Sequence, residues 1–135
     1  MIHLILGLKG SGKTKTMIDS INEAVATASG DVVCIEFGNN LTYDINYRVR
    51  LVDAKQYGIV SADLLKGLLC GLHAGNFDIT NVYIDGLYKI IGRDKAVCDE
   101  FLTWCDAFSA ANDMNLTLLI SDDPSEASET VKKYL

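Results

Sequence analysis

Proline is scarce in this chain, and long apolar runs are missing. Its 135 residues include one proline, and no stretch has the biased composition of a linker, so we expect a single domain that spans residues 1–135. No apolar run approaches the roughly 20 residues that a membrane-spanning helix needs. The opening residues lack the basic start and the small-residue cleavage site of a signal peptide. The sequence therefore predicts a cytoplasmic protein with no membrane association.

Paired metal ligands are also missing. The chain has four cysteines, and no two of them stand in the C-x-x-C spacing that many zinc sites use. All four lie within apolar patterns, which predicts buried, reduced thiols. The two histidines, His3 and His73, lie in a predicted strand and near a predicted helix end, and we expect a catalytic role for neither.

Basic residues are fewer than acidic residues in the chain as a whole, but not in its first residues. The formal net charge is −6 at pH 7. This balance argues against a nucleic acid as partner, because such binding depends on many contacts of Lys and Arg with phosphates. Lys9, Lys13 and Lys15 nevertheless precede the first acidic residue, Asp19. A locally positive segment on an acidic protein predicts a small anionic ligand.

Hydrophobic periodicity divides the chain into alternating strands and helices. Apolar runs and alternation predict strands at residues 2–6, 31–37, 47–54, 81–85 and 116–123. A spacing of 3.6 residues predicts helices over residues 13–30, over residues 61–72 and from Asp94 onward. Asp123 as N-cap and Pro124 as first residue predict a further helix. This order predicts an α/β three-layer sandwich around a mainly parallel sheet of about five strands.

Ligands of such sheets bind at the carboxyl ends of the strands. The predicted ends carry Gly7, Glu36, Asp53, Asp85, Ser121 and Asp122. Gly7, at the end of the first strand, is also the first residue of the segment 7–14, GLKGSGKT. This segment matches the pattern G-x-x-x-x-G-K-[ST] and lies between a predicted strand and a predicted helix.

This pattern suits phosphate groups for physical reasons. Glycines allow backbone N–H groups to curl inward around phosphate oxygens, because they have no Cβ that would clash. The N-terminus of the following helix adds partial positive charge. We expect Lys13 to reach the β- and γ-phosphates and the Thr14 hydroxyl to bind Mg²⁺.

Residues 7–14 resemble the Walker A motif of P-loop NTPases, and residues 82–85, VYID, resemble the Walker B motif of that superfamily. The resemblance implies a nucleoside triphosphate with Mg²⁺ as the ligand. It also implies that Asp85 orients the metal together with Thr14. The residues expected to contact the nucleotide are Gly7, Leu8, Lys9, Gly10, Ser11, Gly12, Lys13, Thr14 and Lys15.

The whole chain is also similar to a group of very short bacterial P-loop ATP-binding proteins. The similarity runs through residues 7–14, YGI at residues 57–59, YIDGL at residues 83–87 and the C-terminal strand and helix. It implies a minimal P-loop NTPase fold, ATP as the nucleotide, and a first strand that lies close to the strand at residues 81–85. No base-reading motif such as N-K-x-D ranks ATP over GTP.

Hydrolysis requires a group that positions the attacking water. Many P-loop ATPases place a glutamate directly after the Walker B aspartate, and Gly86 stands there in this chain. The candidate catalytic residues are Lys13, Glu36 and Asp122. Glu36 follows the second strand, where related kinases often keep an acidic group, and Asp122 lies where several P-loop ATPases hold a γ-phosphate sensor. Arg93, in a predicted loop, either stabilises phosphate charge or is a solvated surface charge.

Three functions remain open from the sequence. The first is a cytoplasmic protein that binds ATP–Mg²⁺ and hydrolyses it slowly or under stimulation by a partner. The second is a small nucleoside- or nucleotide-kinase-like phosphotransferase, motivated by Glu36. The third is a non-enzymatic interaction module, in which ATP orders loops at residues 38–47 and 87–93 and so changes a surface for a protein partner. A second copy of the chain is a further candidate partner.

Overall fold

The computed structural model describes residues 1–41 and 44–135. Within these ranges the chain forms the strands β1 (Ile2–Gly7), β2 (Asp31–Glu36), β3 (Arg50–Asp53), β4 (Ile79–Ile84) and β5 (Asn115–Ser121). The helices there are α1 (Lys13–Thr27), α2 (Ala62–Gly75), α3 (Leu87–Ile91), α4 (Lys95–Asn112) and α5 (Glu129–Lys133). A 3-10 turn, Pro124–Glu126, precedes α5. The alternation of strands and helices confirms the predicted α/β class.

The strands form one parallel sheet in the order β1-β5-β4-β2-β3. β5 lies between β1 and β4, with Ile2 opposite Leu116 and Gly7 opposite Ser121. The first strand and the strand that precedes Asp85 are therefore one strand apart and are not neighbours. Because the sheet is parallel, the carboxyl ends of β1, β5 and β4 meet at the same edge.

Helices flank both faces of the sheet, because the buried residues of each strand alternate between the faces. Val33 and Ile35 of β2 pack in one core with apolar residues of α2, α3, α4 and α5. Cys34 packs on the opposite face with Met17 and Ile21 of α1. Met17 and Ile21 are both fully buried. Burial of two such side chains contributes roughly 3–6 kcal/mol, which holds α1 against this face of the sheet.

The third strand is shorter than the alternation of residues 47–54 predicts. β3 lies at the edge of the sheet and pairs with β2 only from Arg50, opposite Val33, to Asp53, opposite Glu36. Tyr47, the first residue of the predicted strand, lies before β3 and is 88% exposed. β2 begins at Asp31, so its first two residues have no partner in β3.

Residues 87–93, expected to be a loop, begin with the helix α3. Leu87 and Ile90 are buried, and Gly86 and Gly92 flank the helix with positive φ. Five residues are too few for helical periodicity to be recognised in a sequence. The other expected loop, residues 38–47, includes residues 42 and 43, which lie outside the described residues.

The helix predicted from Asp123 is divided into two short pieces. Asp123 is an N-cap, as predicted, but it caps the 3-10 turn by accepting a hydrogen bond from Ser125 N–H. α5 begins only at Glu129, where the Ser128 hydroxyl accepts from Val131 N–H. The expectation of a continuous helix is therefore wrong.

The cysteines are all free, and three of them, Cys34, Cys98 and Cys105, are buried as predicted. Cys70 is exposed, because it lies one residue past Leu69, on the outward side of α2. Of the helices in the described ranges, none is long and apolar enough to cross a membrane.

Candidate functional site

The connection between β1 and α1 is a tight glycine-rich loop. Ser11 N–H donates a hydrogen bond to the Leu8 carbonyl oxygen at 3.1 Å, which closes the turn. Gly10 and Gly12 have φ angles of +84° and +87°. A residue with a Cβ pays about 1–2 kcal/mol in this left-handed region. The backbone of the loop therefore requires both glycines.

The N-terminus of α1 is open. Within the described residues no side chain caps this helix, and no acidic residue lies in its first turn. The two other helices of more than five residues in the described ranges, α2 and α4, are by contrast capped by the side chains of Ser61 and Asp94. The first N–H groups of a helix have no partner within the helix and carry partial positive charge. The contrast favours an external anion as the partner of the first turn of α1.

Lys13 lies across the loop. Its Nζ donates a hydrogen bond to the Leu8 carbonyl oxygen at 2.9 Å. This acceptor is neutral, and a phosphate oxygen would replace it with a charged and therefore stronger acceptor. The next residue, Thr14, is exposed, so its hydroxyl is accessible to a ligand.

A cleft with a volume of about 850 Å³ opens beside this loop. Its walls come from the loop and the first turn of α1, from the ends of β4 and β5, and from α3. The residues that line it are Leu8, Lys9, Gly10, Gly12, Lys13, Thr14, Lys15, Asp85, Gly86, Tyr88, Lys89, Arg93, Ser121, Asp122 and Asp123. The volume lies within the range of roughly 300–1,000 Å³ that is typical of sites for small molecules.

Cations outnumber carboxylates in the cleft. The cationic side chains are Lys9, Lys13, Lys15, Lys89 and Arg93, and the carboxylates are Asp85, Asp122 and Asp123. The chain as a whole has a net charge of −6. The local excess of positive charge therefore runs against the overall charge and favours an anionic ligand here.

Asp85 follows β4 and lies in the wall of the cleft. Its N–H donates to the Ile35 carbonyl oxygen at 2.8 Å, which fixes its backbone to β2. Burial raises the pKa of the Asp85 carboxyl group above its usual value, while the Lys89 and Lys13 ammonium groups and the Gly86 N–H act in the opposite direction. A partly buried carboxylate of this kind is stabilised by a nearby cation.

Thr14 and Asp85, the two predicted Mg²⁺ ligands, both line the cleft. In residues 1–41 and 44–135, no group of three or more His, Cys, Asp or Glu side chains could hold a metal ion. Mg²⁺ usually keeps several waters and takes other oxygens from substrate phosphates, so one or two protein ligands are enough. The donor set therefore fits a magnesium ion that binds together with a nucleotide.

The backbone conformation at residue 86 explains why a glycine follows Asp85. It is the N-cap of α3, with φ 69° and ψ 50°, in the left-handed region. A Cβ there would lie 3.2 Å from Cδ of Lys89, and that side chain is flexible. The left-handed backbone conformation of residue 86 therefore favours glycine more strongly than the room available for a side chain does. A glutamate at this position would be strained in this fold.

Asp122 joins the wall of the cleft to the glycine-rich loop. Its N–H donates to the Gly7 carbonyl oxygen at 3.1 Å, and its carboxylate accepts from the Tyr88 hydroxyl at 3.3 Å. Nη2 of Arg93 and Nζ of Lys95 each lie 3.9 Å from the carboxylate. Asp122 is thus the anion of a small charged cluster at the end of β5.

Glu36, the third predicted catalytic residue, lies outside the cleft. It is buried, and its carboxylate accepts hydrogen bonds from the N–H groups of Asn40 and Leu41. Burial raises the pKa of this carboxyl group, and the two backbone hydrogen bonds oppose the shift. Glu36 lines a separate pocket of about 200 Å³ at the ends of β2 and β3. Its contacts are those of a residue that holds a turn.

The structure brings most of the predicted nucleotide contacts together. Leu8, Lys9, Gly10, Gly12, Lys13, Thr14 and Lys15 line the cleft. Gly7 and Ser11 belong to the same loop without lining it, and a Cβ on Gly7 would lie 2.5 Å from Oγ of Ser11. Gly7 is therefore needed for the close approach within the loop.

Several residues of the cleft were not predicted to form the site, namely Gly86, Tyr88, Lys89 and Asp123. One signal for them is present in the sequence. Lys89 stands four residues after Asp85, close enough in the chain for a helix that begins between them to bring the two charges near each other. The spacing becomes informative only if a helix is predicted there.

No model of a protein family matches this chain, and a search of curated proteins found no match either.

Proposed function

We propose that this chain is a small P-loop protein that binds a nucleoside triphosphate together with Mg²⁺. The proposal rests on three observations taken together. Residues 7–14 spell the motif, they connect β1 to a helix without a side-chain cap, and their cations line a cleft that Asp85 also lines. ATP is favoured over other nucleotides by the resemblance alone, and a cytoplasmic location and the absence of nucleic-acid and membrane partners remain predictions.

In this proposal the loop holds the phosphates. Backbone N–H groups of the loop and of the first turn of α1 donate to phosphate oxygens. Lys13 exchanges its 2.9 Å bond to the Leu8 carbonyl oxygen for a bond to a charged oxygen. Thr14 and Asp85 hold the magnesium ion, which when bound neutralises charge on the β- and γ-phosphates.

Turnover is proposed to be slow or to depend on a partner. The position after Asp85 is Gly86, whose conformation does not suit a glutamate. Asp122 is the predicted catalytic carboxylate that lines the cleft, and it already accepts from the Tyr88 hydroxyl at 3.3 Å. A carboxylate that is engaged in this way orients a water less effectively. A slow ATPase, or a switch that waits for a protein partner or a second copy, fits these groups best.

The phosphotransferase alternative rests on Glu36, and its contacts do not favour it. Both oxygens of that carboxylate accept from backbone N–H groups, one from Asn40 and one from Leu41. Glu36 is also only 5% exposed and does not line the cleft, so its carboxylate is not placed to accept a proton from a substrate hydroxyl there.

The alternative of a nucleotide-gated interaction module assumes that the nucleotide orders two loops, at residues 38–47 and 87–93. The second of these segments is largely a helix. Residues 87–91 are a helix whose Leu87 and Ile90 are buried, so a nucleotide would shift this packed element and would not order a loop.

Calorimetric titration of ATP–Mg²⁺ tests the proposal. Lys13→Ala removes a charge-assisted hydrogen bond of about 1.5–3 kcal/mol, so we expect binding at least about tenfold weaker than that of the wild type. Lys55→Ala removes the same charge from an exposed position outside the cleft and serves as the matched control. We expect the control to bind like the wild type.

Equal affinity of the wild type and Lys13→Ala, or no binding by the wild type at all, would contradict the proposal. Phosphate release measured on the same samples then separates the two forms of the function. Negligible turnover supports a switch, and steady turnover supports an ATPase.

A further inference from the structure

Of the described residues that line the cleft, Arg93 and Lys89 are the two cations outside the glycine-rich loop and the first turn of α1, and Arg93 is the farther of the two along the chain. It follows Gly92 at the end of α3, and its guanidinium carbon lies 5.1 Å from the centre of the Tyr88 ring. Its Nη2 lies 3.9 Å from Oδ1 of Asp122. The Arg93 side chain is 68% exposed, so a ligand in the cleft can reach it.

The contact between Arg93 and Asp122 is loose. A charge-assisted hydrogen bond between a guanidinium and a carboxylate is about 2.7–2.9 Å long, so the observed 3.9 Å lies beyond that range. Asp122 meanwhile accepts from the Tyr88 hydroxyl at 3.3 Å and from Asp123 N–H at 2.8 Å. Arg93 is therefore held near the cleft by stacking and by charge, and its donors can turn to a stronger acceptor at small cost.

Arg93 and the glycine-rich loop belong to different parts of the cleft. The glycine-rich loop and Lys13 form one wall of the cleft, while α3 and the ends of β4 and β5 form another. Asp85, the proposed metal ligand, directly precedes the Gly86–α3 segment that leads to Arg93. Arg93 therefore lies on a different wall of the cleft from the loop that would hold the phosphates.

We propose that Arg93 binds the terminal phosphate of the nucleotide and makes the site prefer triphosphates over diphosphates. The inference rests on the proposed function and adds a specificity-determining residue to it. The planar guanidinium presents paired donors that match two oxygens of one phosphate. Tyr88 is the positioning residue, because its ring supports the guanidinium and its hydroxyl holds Asp122 aside.

The test is a pair of calorimetric titrations, with ATP–Mg²⁺ and with ADP–Mg²⁺, on the wild type and on Arg93→Gln. We expect Arg93→Gln to weaken the binding of ATP by about tenfold, or ~1.4 kcal/mol, while the affinity for ADP changes by less than about twofold. Arg48→Gln makes the same change at an exposed position outside the cleft and is the matched control. Its ratio of ATP to ADP affinity should equal that of the wild type.

A third ligand, tripolyphosphate with Mg²⁺, distinguishes phosphate from base. If Arg93 binds the terminal phosphate, Arg93→Gln weakens tripolyphosphate by the same factor as ATP. If the variant weakens ATP and ADP equally and leaves tripolyphosphate unchanged, Arg93 contacts the base and the inference is overturned. Tyr88→Phe keeps the ring but frees Asp122 to pair with Arg93, so it should lose part of the preference for ATP, and Tyr88→Leu, which removes both, should lose more of it.

Failure of this inference and failure of the proposed function give different results. If Lys13→Ala loses nucleotide while Arg93→Gln keeps the wild-type ratio of ATP to ADP affinity, the site binds phosphates and Arg93 does not select among them. If the wild type binds none of the three ligands, the proposed function fails and the inference fails with it.

Discussion

The substitution of alanine for glycine is expected to have opposite effects at Gly86 and at Gly71. Gly86 adopts φ +69° at the start of α3, where its only close neighbour for an added Cβ is the flexible side chain of Lys89. Gly71 lies inside α2, is exposed, and would place a Cβ in open space. Comparison of the two substitutions therefore separates the effect of backbone conformation on stability from the effect of packing.

The magnitudes follow from these two conformations. The left-handed region costs an alanine about 1–2 kcal/mol, and the reduced freedom of the unfolded chain offsets about 0.4–1 kcal/mol of it. We therefore expect Gly86→Ala to lower the free energy of unfolding by about 1 kcal/mol. Gly71→Ala should raise it by about 0.8–1 kcal/mol, the difference in helix propensity.

Urea unfolding without nucleotide, followed by circular dichroism, measures both changes. At a slope of about 2 kcal/mol per molar urea, each variant should move the midpoint by about 0.5 M, in opposite directions and with an unchanged slope. If Gly86→Ala is as stable as the wild type while Gly71→Ala is stabilised, backbone conformation is not the reason that glycine follows Asp85.

Two further predictions concern titratable groups. Asp85→Asn should raise the free energy of unfolding at pH 7 while weakening ATP–Mg²⁺ binding, because burial raises the folded-state pKa of this carboxyl group. The penalty for the ionised form is present above that pKa and disappears as pH falls through it, so an advantage of the variant in urea unfolding that persists undiminished in acid would refute the reasoning. With a thiol reagent, Cys70 should react in the native protein, whereas Cys34 and Cys98 should react only after unfolding, because burial raises their pKa values to about 12 and about 11. Mass spectrometry of the labelled peptides checks this, with Cys70→Ser as control, and rapid labelling at a second position would show that the packing is wrong.

The glycine-rich loop could be predicted from the sequence because its chemistry is local. Glycine spacing, the lysine and the threonine lie within residues 7–14, and the strand and helix around them are marked by their own periodicity. The structure places Gly10 and Gly12 at positive φ and Lys13 across the loop. Each of these features depends on residues that are close in sequence.

The wall of the cleft that α3 forms could not be predicted in the same way. α3 is five residues long and owes its position to the burial of Leu87 and Ile90 in a core with residues of β4 and β5. Tyr88 and Arg93 reach the cleft only because that packing folds the helix over the ends of those strands. Such contacts join distant parts of the chain and leave no local pattern.

Glu36 shows a third case, in which the position is predicted and the role is not. The sequence places this carboxylate correctly at the end of β2. Its carboxylate accepts hydrogen bonds from Asn40 and Leu41 because of the way the chain turns after the strand. The residue types in that turn do not predict these two hydrogen bonds.

The pairing of β1 with β5 also decides when the cleft can form. Ile2 lies opposite Leu116, so β1 leaves the ribosome well before the strand with which it pairs. At translation rates of 5–20 residues per second, that interval is on the order of ten seconds. During that time the glycine-rich loop is synthesised but has no neighbouring strand to hold it, and the closure of so long a segment is the slowest kind of contact to make. A ligand of the cleft therefore stabilises only molecules whose synthesis has passed β5, and it acts on the final step of folding.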